Sequence, residues 1–267
     1  MLGHILPLIP HHRLYVEPFV GGASVLFGKR PALSEVINDV NDVLINFWRC
    51  CQTRFDDLQR EIRLYLYSER QFHQARELLR NPSDDAVKNA AAFWFVCLTA
   101  YLHMHKSATM NMTKVAEHGP QSRVLANKRD SFVHDICDRI STVHIQCKDA
   151  LDCIRQWDCD DAFFYVDPPY YNSCCCGLGH YTESDYRALL ETLSNIKGRF
   201  LLSSYPSALL DEAVARNRWS TRQHTCFLHA SRRSGRTKTE CLTYNYIPPQ
   251  TEIVFAPDVV DDCVEMA

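Results

Sequence analysis

Phe163-Phe164-Tyr165-Val166-Asp167-Pro168-Pro169-Tyr170 is an apolar run that stops at an acid and two prolines. Residues 162–166 are all apolar and three are aromatic. That length and composition suit a buried strand better than a helix. Each proline fixes φ and lacks an N–H, so no ladder continues past Val166 and the chain after Asp167 is stiff. Four more short runs have the same character: Leu14–Glu17, Glu35–Asn38, Val143–Gln146 and Arg199–Ser203. Helical patterns follow several of them, over 23–29, 41–52, 149–156 and 184–195, the last starting at Ser184 with Asp185 in its first turn. Strands alternating with helices predict an α/β sheet with right-handed crossovers.

Residues 53–138 break this rhythm. Phe55, Leu58, Ile62, Leu64 and Leu66 recur at helical spacing, as do Phe72, Ala75, Leu78 and Leu79 beyond them. Asn81-Pro82-Ser83 marks a turn, and Ala90–Tyr101 is a strongly apolar helix. From Lys106 to Arg129 the pattern becomes irregular and polar, which predicts a surface loop. The reading is a discontinuous core of 1–52 and 139–250, a helical insert of 53–138 and an acidic tail of 251–267. Within the core, Thr221–His229 and Thr239–Tyr246 read as a hairpin whose loop is Arg232-Arg233-Ser234-Gly235-Arg236.

The chain has 267 residues, 46% of them hydrophobic, enough for a substantial core. No run of about 18 or more apolar residues appears, so no membrane span is expected. The start, Met1–Pro10, lacks the basic flank of a secretory signal, and the expected compartment is the cytoplasm. The 13 cysteines include the adjacent runs Cys50-Cys51 and Cys174-Cys175-Cys176, which are neither a disulfide framework nor metal-ligand spacing. Reduced thiols and no metal are expected. The net charge of −3 excludes nothing, because the tail alone carries five acidic residues and no basic one. Local clusters must carry the argument.

Three clusters bear chemistry. Ligands of open α/β sheets bind at the carboxyl ends of strands, where Asp167-Pro168-Pro169-Tyr170 falls. The tetrapeptide offers a fixed carboxylate, a free carbonyl and an aromatic ring. An exocyclic amine needs two acceptors and a flat base needs a stacking face; a plain Pro-Pro turn fits the same residues. Val16-Glu17-Pro18-Phe19-Val20-Gly21-Gly22 also runs from a strand into a glycine pair and a helix. Gly21 and Gly22 permit positive φ and close approach of a ligand, or simply a tight turn. Asp39 follows the second strand at the spacing of a ribose-binding carboxylate, and Asp149 follows another strand and is placed to accept from an adenine amine. Each also suits a helix cap or turn.

Taken together, Phe19-Val20-Gly21-Gly22, then a helical insert, then Asp167-Pro168-Pro169-Tyr170 resemble the D12 class of DNA adenine methylases. The resemblance extends to Val36-Ile37-Asn38-Asp39, Arg199–Ser204 and Lys238–Thr243, and covers most of residues 13–246. It implies a Rossmann-like class I methyltransferase sheet with an inserted helical target-recognition subdomain. It implies an S-adenosylmethionine-dependent enzyme, without metal, that methylates N6 of a flipped adenine in DNA. Glu17, Pro18, Phe19, Gly21 and Gly22 would line the cofactor pocket, with Asp39 on the ribose, Asp149 on the adenine and Asp167 reaching both cofactor and target. Asp167, Pro168, Pro169 and Tyr170 would be catalytic. The Gly-Gly-Lys segment usual in the family ahead of the first strand does not occur here, which predicts weak cofactor binding and a missing pocket wall.

Arg232, Arg233, Arg236 and Lys238 in the hairpin loop suit phosphate contacts, or are a solvated loop. Lys106, Arg123, Lys128 and Arg129 put further positive charge in the insert, the expected region of base readout. The partner expected is DNA; the oligomeric state is open. Competing activities are N4-cytosine methylation, methylation of RNA or of a protein glutamine, and a non-catalytic remnant that binds nucleic acid.

Overall fold

The computed structural model describes residues 1–100, 109–112, 120–171, 181–227 and 237–249. Lys106, Arg232, Arg233, Arg236, Cys174–Cys176 and the acidic tail lie outside the described residues. The strands among them are β1 (Leu14–Glu17), β2 (Ser34–Asn38), β3 (His144–Gln146), β4 (Ala162–Val166), β5 (Arg199–Ser204), β6 (Ser220–Phe227) and β7 (Thr237–Tyr244). By its contacts the chain forms two units: Met1–Val40 with the described residues from Lys148 on, and Asn41–Cys147.

In the first unit the strand order is β2-β1-β4-β5-β7-β6. β1 runs parallel to β2 and β4, and β4 parallel to β5. β7 is antiparallel to β5 and to β6. This is the expected Rossmann-like α/β sheet, with β6 and β7 as its antiparallel hairpin. The strand order reverses between β1 and β4, and ligands of such sheets bind beyond the carboxyl ends at that point.

Side chains alternate across each strand, so the two faces separate by parity. Val16, Phe164, Val166, Phe200 and Leu202 face one way. They pack against Cys153 and Ile154 of α9 (Ala150–Trp157), Leu189, Leu190 and Leu193 of α10 (Glu183–Ser194) and Leu210 and Ala213 of α11 (Ala208–Asn217). Each fully buried Leu or Phe there contributes roughly 1.5–3 kcal/mol. Tyr15, Glu17, Phe163 and Tyr165 face the other way. The start of the chain covers that face: the His12 ring lies 5.6 Å from Tyr15 and 5.3 Å from Phe163, and the Tyr246 hydroxyl donates to the Leu8 carbonyl at 2.8 Å. His4, in α1 (Leu2–Ile5), stacks on His224 at 4.1 Å. Leu2 packs on Gly28, the last residue of α2 (Ser24–Gly28).

The second unit is helical apart from β3: α3 (Asp42–Thr53), α4 (Phe55–Arg63), α5 (Glu69–Arg80), α6 (Ala86–Thr99), α7 (Gln121–Asp130) and α8 (Asp135–Ile140). α6 is capped by the Asp85 carboxylate, which accepts from Val87 N at 3.1 Å and Lys88 N at 3.2 Å. Residues Ala90–Thr99 are all buried, as an all-apolar helix requires. α3, read in sequence with the core, packs on α6 and α8 instead, through Leu44, Ile45, Phe47, Trp48 and Cys51.

Two local readings change. α10 is capped by Thr182 rather than Ser184, in a reciprocal box with Asp185 that satisfies two backbone donors. Residues 121–130, read as irregular, form α7; its low apolar content hides it, since Leu125 alone is buried. α11 has no sequence signal strong enough to predict it. No helix among the described residues is long and apolar enough to cross a membrane.

Candidate active site

β1 ends at Glu17, and the chain turns through Val20–Ala23 into α2. Ala23 N donates to Val20 O at 2.7 Å, and Val20 N to Asn38 O at 2.9 Å. Gly21 has φ +44°, and a Cβ placed on it meets nothing within 4 Å. The backbone conformation favours glycine here, and the space beside it is open. The second positive φ of the turn belongs to Ala23, at +59°, and not to Gly22 as expected. Asp39 Oδ2 accepts from Gly21 N at 3.3 Å, so this carboxylate is tied to the turn. Phe19 meets Tyr181 edge-on at 6.3 Å.

Asn38, which carries no individual role in the sequence reading, holds the strand ends together. It is fully buried, and its Nδ2 donates to Pro18 O at 2.9 Å and Lys148 O at 3.0 Å. Its Oδ1 accepts from Lys148 N at 3.1 Å. One side chain thereby fixes the exit of β1 and the approach to Asp149. Asp149 caps α9: its Oδ1 accepts from Leu151 N at 2.8 Å and Asp152 N at 3.3 Å.

Asp167 begins the segment after β4. Tyr165 donates to Asp167 Oδ2 at 3.3 Å and Tyr170 to Oδ1 at 3.4 Å, and Ser203 adds a third hydroxyl. Pro168 and Pro169 supply no N–H to this carboxylate. The residue is exposed to solvent, yet protein atoms crowd its carboxyl, which is the condition of a group in an open recess. That crowding, and then the nearby Glu240 carboxylate, push it up to about 6, against the hydroxyl bonds. The Tyr170 ring stacks on Tyr205 at 4.1 Å, and its hydroxyl lies 3.4 Å from Ser203 Oγ. Pro168, Pro169, Tyr170, Tyr171, Tyr186, Ser204 and Tyr205 line a small cavity beside the segment.

Glu17, read in sequence among the cofactor residues, is 1% exposed. Its carboxylate accepts from the Tyr15 hydroxyl and from the backbone N–H of Leu26 in α2. Ala23 gives α2 no side-chain cap, so Glu17 caps it from the neighbouring strand. Burial pushes it up to about 7.

Of the basic residues, Arg123 is exposed, while Arg129 donates through Nη1 to the Tyr65 carbonyl at 3.0 Å. Lys128 is half-buried. Lys238 is paired with Glu240 at 2.5 Å. No group of three or more His, Cys, Asp or Glu side chains placed to hold a metal occurs among the described residues.

The parallel core of the sheet, the glycine turn after β1 and the acid-proline turn after β4 define a Rossmann-like α/β protein with a candidate ligand site at the strand switch point. Residues 1–225 match the model of the D12 class N6 adenine-specific DNA methyltransferase family, and the chain belongs to that family. The Type II methyltransferase M.MjaIII of Methanocaldococcus jannaschii is 27% identical over 173 residues, 58% of this chain and 58% of that protein. The match thus spans little more than half of this relative's length. The rRNA methyltransferase aviRa of Streptomyces viridochromogenes aligns over 90% of this chain and 80% of its own, at 9% identity and a TM-score of 0.34.

Proposed function

We propose that the protein transfers a methyl group from S-adenosylmethionine to the exocyclic N6 amine of adenine in DNA. The observation that carries this reading is Asp167: a carboxylate at the switch point, open to solvent, whose partners among the described residues are three hydroxyls and no backbone N–H. Such a group is available to accept from an amine. The Pro168 carbonyl is the second acceptor and the Tyr170 ring the stacking face. An adenine amine is conjugated and weakly nucleophilic, and accepting both its hydrogens returns electron density to nitrogen. S-adenosylmethionine supplies the electrophilic methyl group. Holding the two reactants in line provides most of the acceleration. The base must leave the stack first, because the duplex blocks access to N6.

The described residues fit the methyl donor. The open space beside Gly21 admits a ligand against the backbone, with Phe19 alongside. Asp39 presents a carboxylate there for ribose hydroxyls, and Asp149 one for the adenine ring. Gly22 and Pro18 shape the turn. The helical segment carrying Arg123, Lys128 and Arg129 is the reader of the target sequence, and the basic hairpin loop contacts phosphates. The working compartment is the cytoplasm.

Incubation with labelled S-adenosylmethionine and mixed DNA, with nucleoside analysis of the product, tests the reading. N6-Methyl-2′-deoxyadenosine is expected. N4-Methyl-2′-deoxycytidine would redirect it to the other amine, and no label in DNA with no saturable cofactor binding would overturn it.

A further inference from the structure

The sheet face that holds Asp167 carries three more buried acids; Glu17 caps α2, and Glu35 on β2 pairs with Lys29 and accepts from Ala32 N. Strand register locates the third. Val166 pairs with Leu202, which sets Asp167 beside Ser203, and Ser203 pairs with Leu242. Ser204 pairs with Cys241, and both belong to the opposite face. Glu240, one residue from Cys241, therefore shares the face of Asp167, one pleat further toward the carboxyl ends. It is 3% exposed, a rare state for an acid. Lys238, two residues along the same strand and on the same face, pairs with it at 2.5 Å, the kind of partner a buried acid requires.

We propose that Glu240 is a positioning residue that acts through Asp167: its fixed negative charge strengthens Asp167 as the acceptor of the proton that leaves the methylated amine. The inference rests on the reading of Asp167 as the amine acceptor. In the transfer, N6 forms a bond to the methyl carbon as the sulfur–carbon bond breaks, the sulfur keeping the electron pair. The nitrogen then carries a positive charge and sheds one proton to the Asp167 carboxylate, which later releases it to solvent. A carboxylate with an ordinary proton affinity is a poor acceptor for that step, and a neighbouring like charge improves it. The upward push on Asp167 from Glu240 agrees with this placement, and Tyr170 feels the same charge.

Other groups face the same region. Tyr165 and Tyr170 donate to Asp167, which lowers its proton affinity. Glu17 on β1 is near enough to feel the Asp167 charge. His224 on β6 pairs across from Glu240 and is held below its ordinary value by burial, and then by His4 and Arg222. Glu240 is the carboxylate named first among the charges that push Asp167 up, and it is not a hydrogen-bond partner of Asp167, so its charge can be removed without breaking a bond to that carboxyl.

The test is the titration of Asp167 in Glu240→Gln, read two ways. Carbon-13 NMR of aspartate-labelled protein, assigned with Asp167→Asn, tracks the carboxyl without any need for activity. Single-turnover methyl transfer at saturating DNA tracks its acid limb. Both midpoints are expected to fall by about one pH unit, and Glu240→Asp, which keeps the charge, is expected to stay near wild type. If Glu240→Gln does not fold, Glu240→Leu takes its place, since it leaves no buried polar group and the partly exposed Lys238 can turn to solvent. An unmoved NMR midpoint overturns the inference, whatever the activity. A shifted NMR midpoint in a protein that methylates no DNA upholds the electrostatic coupling while the functional reading falls.

Discussion

β1 and β4 lie side by side, and each ends in an acid followed by proline: Glu17-Pro18 and Asp167-Pro168. Both side chains fall on the same face of the sheet, yet one is buried and the other exposed. The residues after each proline make the difference. Beyond Pro18 the chain folds back through Gly21 into α2, which delivers the Leu26 N–H to Glu17. Beyond Pro168 comes a second proline, so neither residue next in the chain offers a backbone donor to Asp167. Its bonds are two long hydroxyl contacts of 3.3 and 3.4 Å, with Ser203 near. One pattern thus yields a structural carboxylate and a chemically available one.

Asp167→Ala offers the largest expected break in this comparison. It should lower transfer by about 10²–10³, the loss typical of one preorganised partner of developing charge. Saturable binding of S-adenosylmethionine, measured by calorimetry, should survive better than turnover. Near-normal turnover would remove Asp167 from the mechanism. In the wild type, Asp167 accepts only when ionised, so activity should fall as pH drops through about 6.

Glu17 should behave in the opposite way, through stability. Its folded carboxyl sits at about 7 against an ordinary 4.5. The folded state therefore binds the proton more tightly than the unfolded one. Between those two values stability should decline as pH rises, and above the higher value the penalty is complete. Glu17→Gln should flatten that decline, which urea unfolding at pH 5 and pH 8 measures directly. Glu17→Ala should cost about 1–3 kcal/mol at pH 5, because it removes the carboxyl acceptor of the Leu26 N–H, and less at pH 8, where it also removes a buried charge. A pH slope that survives Glu17→Gln would assign the titration to another group.

How much of the fold and the site is legible in the sequence depends on the same physics. The five strands read from short apolar runs match the structure within a residue or so, because strand burial is a local property of composition. α7 and α11 are hidden, the first because its register buries only Leu125 and the second because a few apolar positions in ten residues give weak periodicity. At the site, acid, proline and glycine announce themselves. Asn38 and Glu240 do not, since their importance comes from strands that meet far from them in sequence. Nor can sequence tell Glu17 from Asp167, because the deciding donor is a backbone N–H nine residues downstream.

Gly21 sharpens the comparison at the turn itself. At φ +44° a Cβ costs about 1–2 kcal/mol from backbone conformation alone, although the space around it is open. Gly21→Ala should therefore lower unfolding stability by that amount, and it should weaken cofactor binding further by filling the open space. A stability loss with unchanged cofactor affinity would show that the ligand does not approach this backbone.

The smallest effect expected repeats the same contrast among cations. Arg123 and Arg129 lie six residues apart on α7, both within the basic set expected to meet DNA. Arg129 already donates to the Tyr65 carbonyl, which ties the helix to the residues after α4, whereas Arg123 is exposed. Removing Arg129 should cost about 1 kcal/mol of stability through that hydrogen bond. Removing Arg123 should leave stability within about 0.5 kcal/mol, as at an ordinary surface position. If Arg123 neutralises a phosphate, its loss should instead flatten the logarithmic salt dependence of DNA affinity by about 0.9. Urea unfolding of Arg123→Ala and Arg129→Ala reads the first quantity, and DNA titrations at several salt concentrations read the second. An unchanged slope in Arg123→Ala would mean that this arginine is solvated surface, and the positive charge that meets DNA must then be sought elsewhere on the chain.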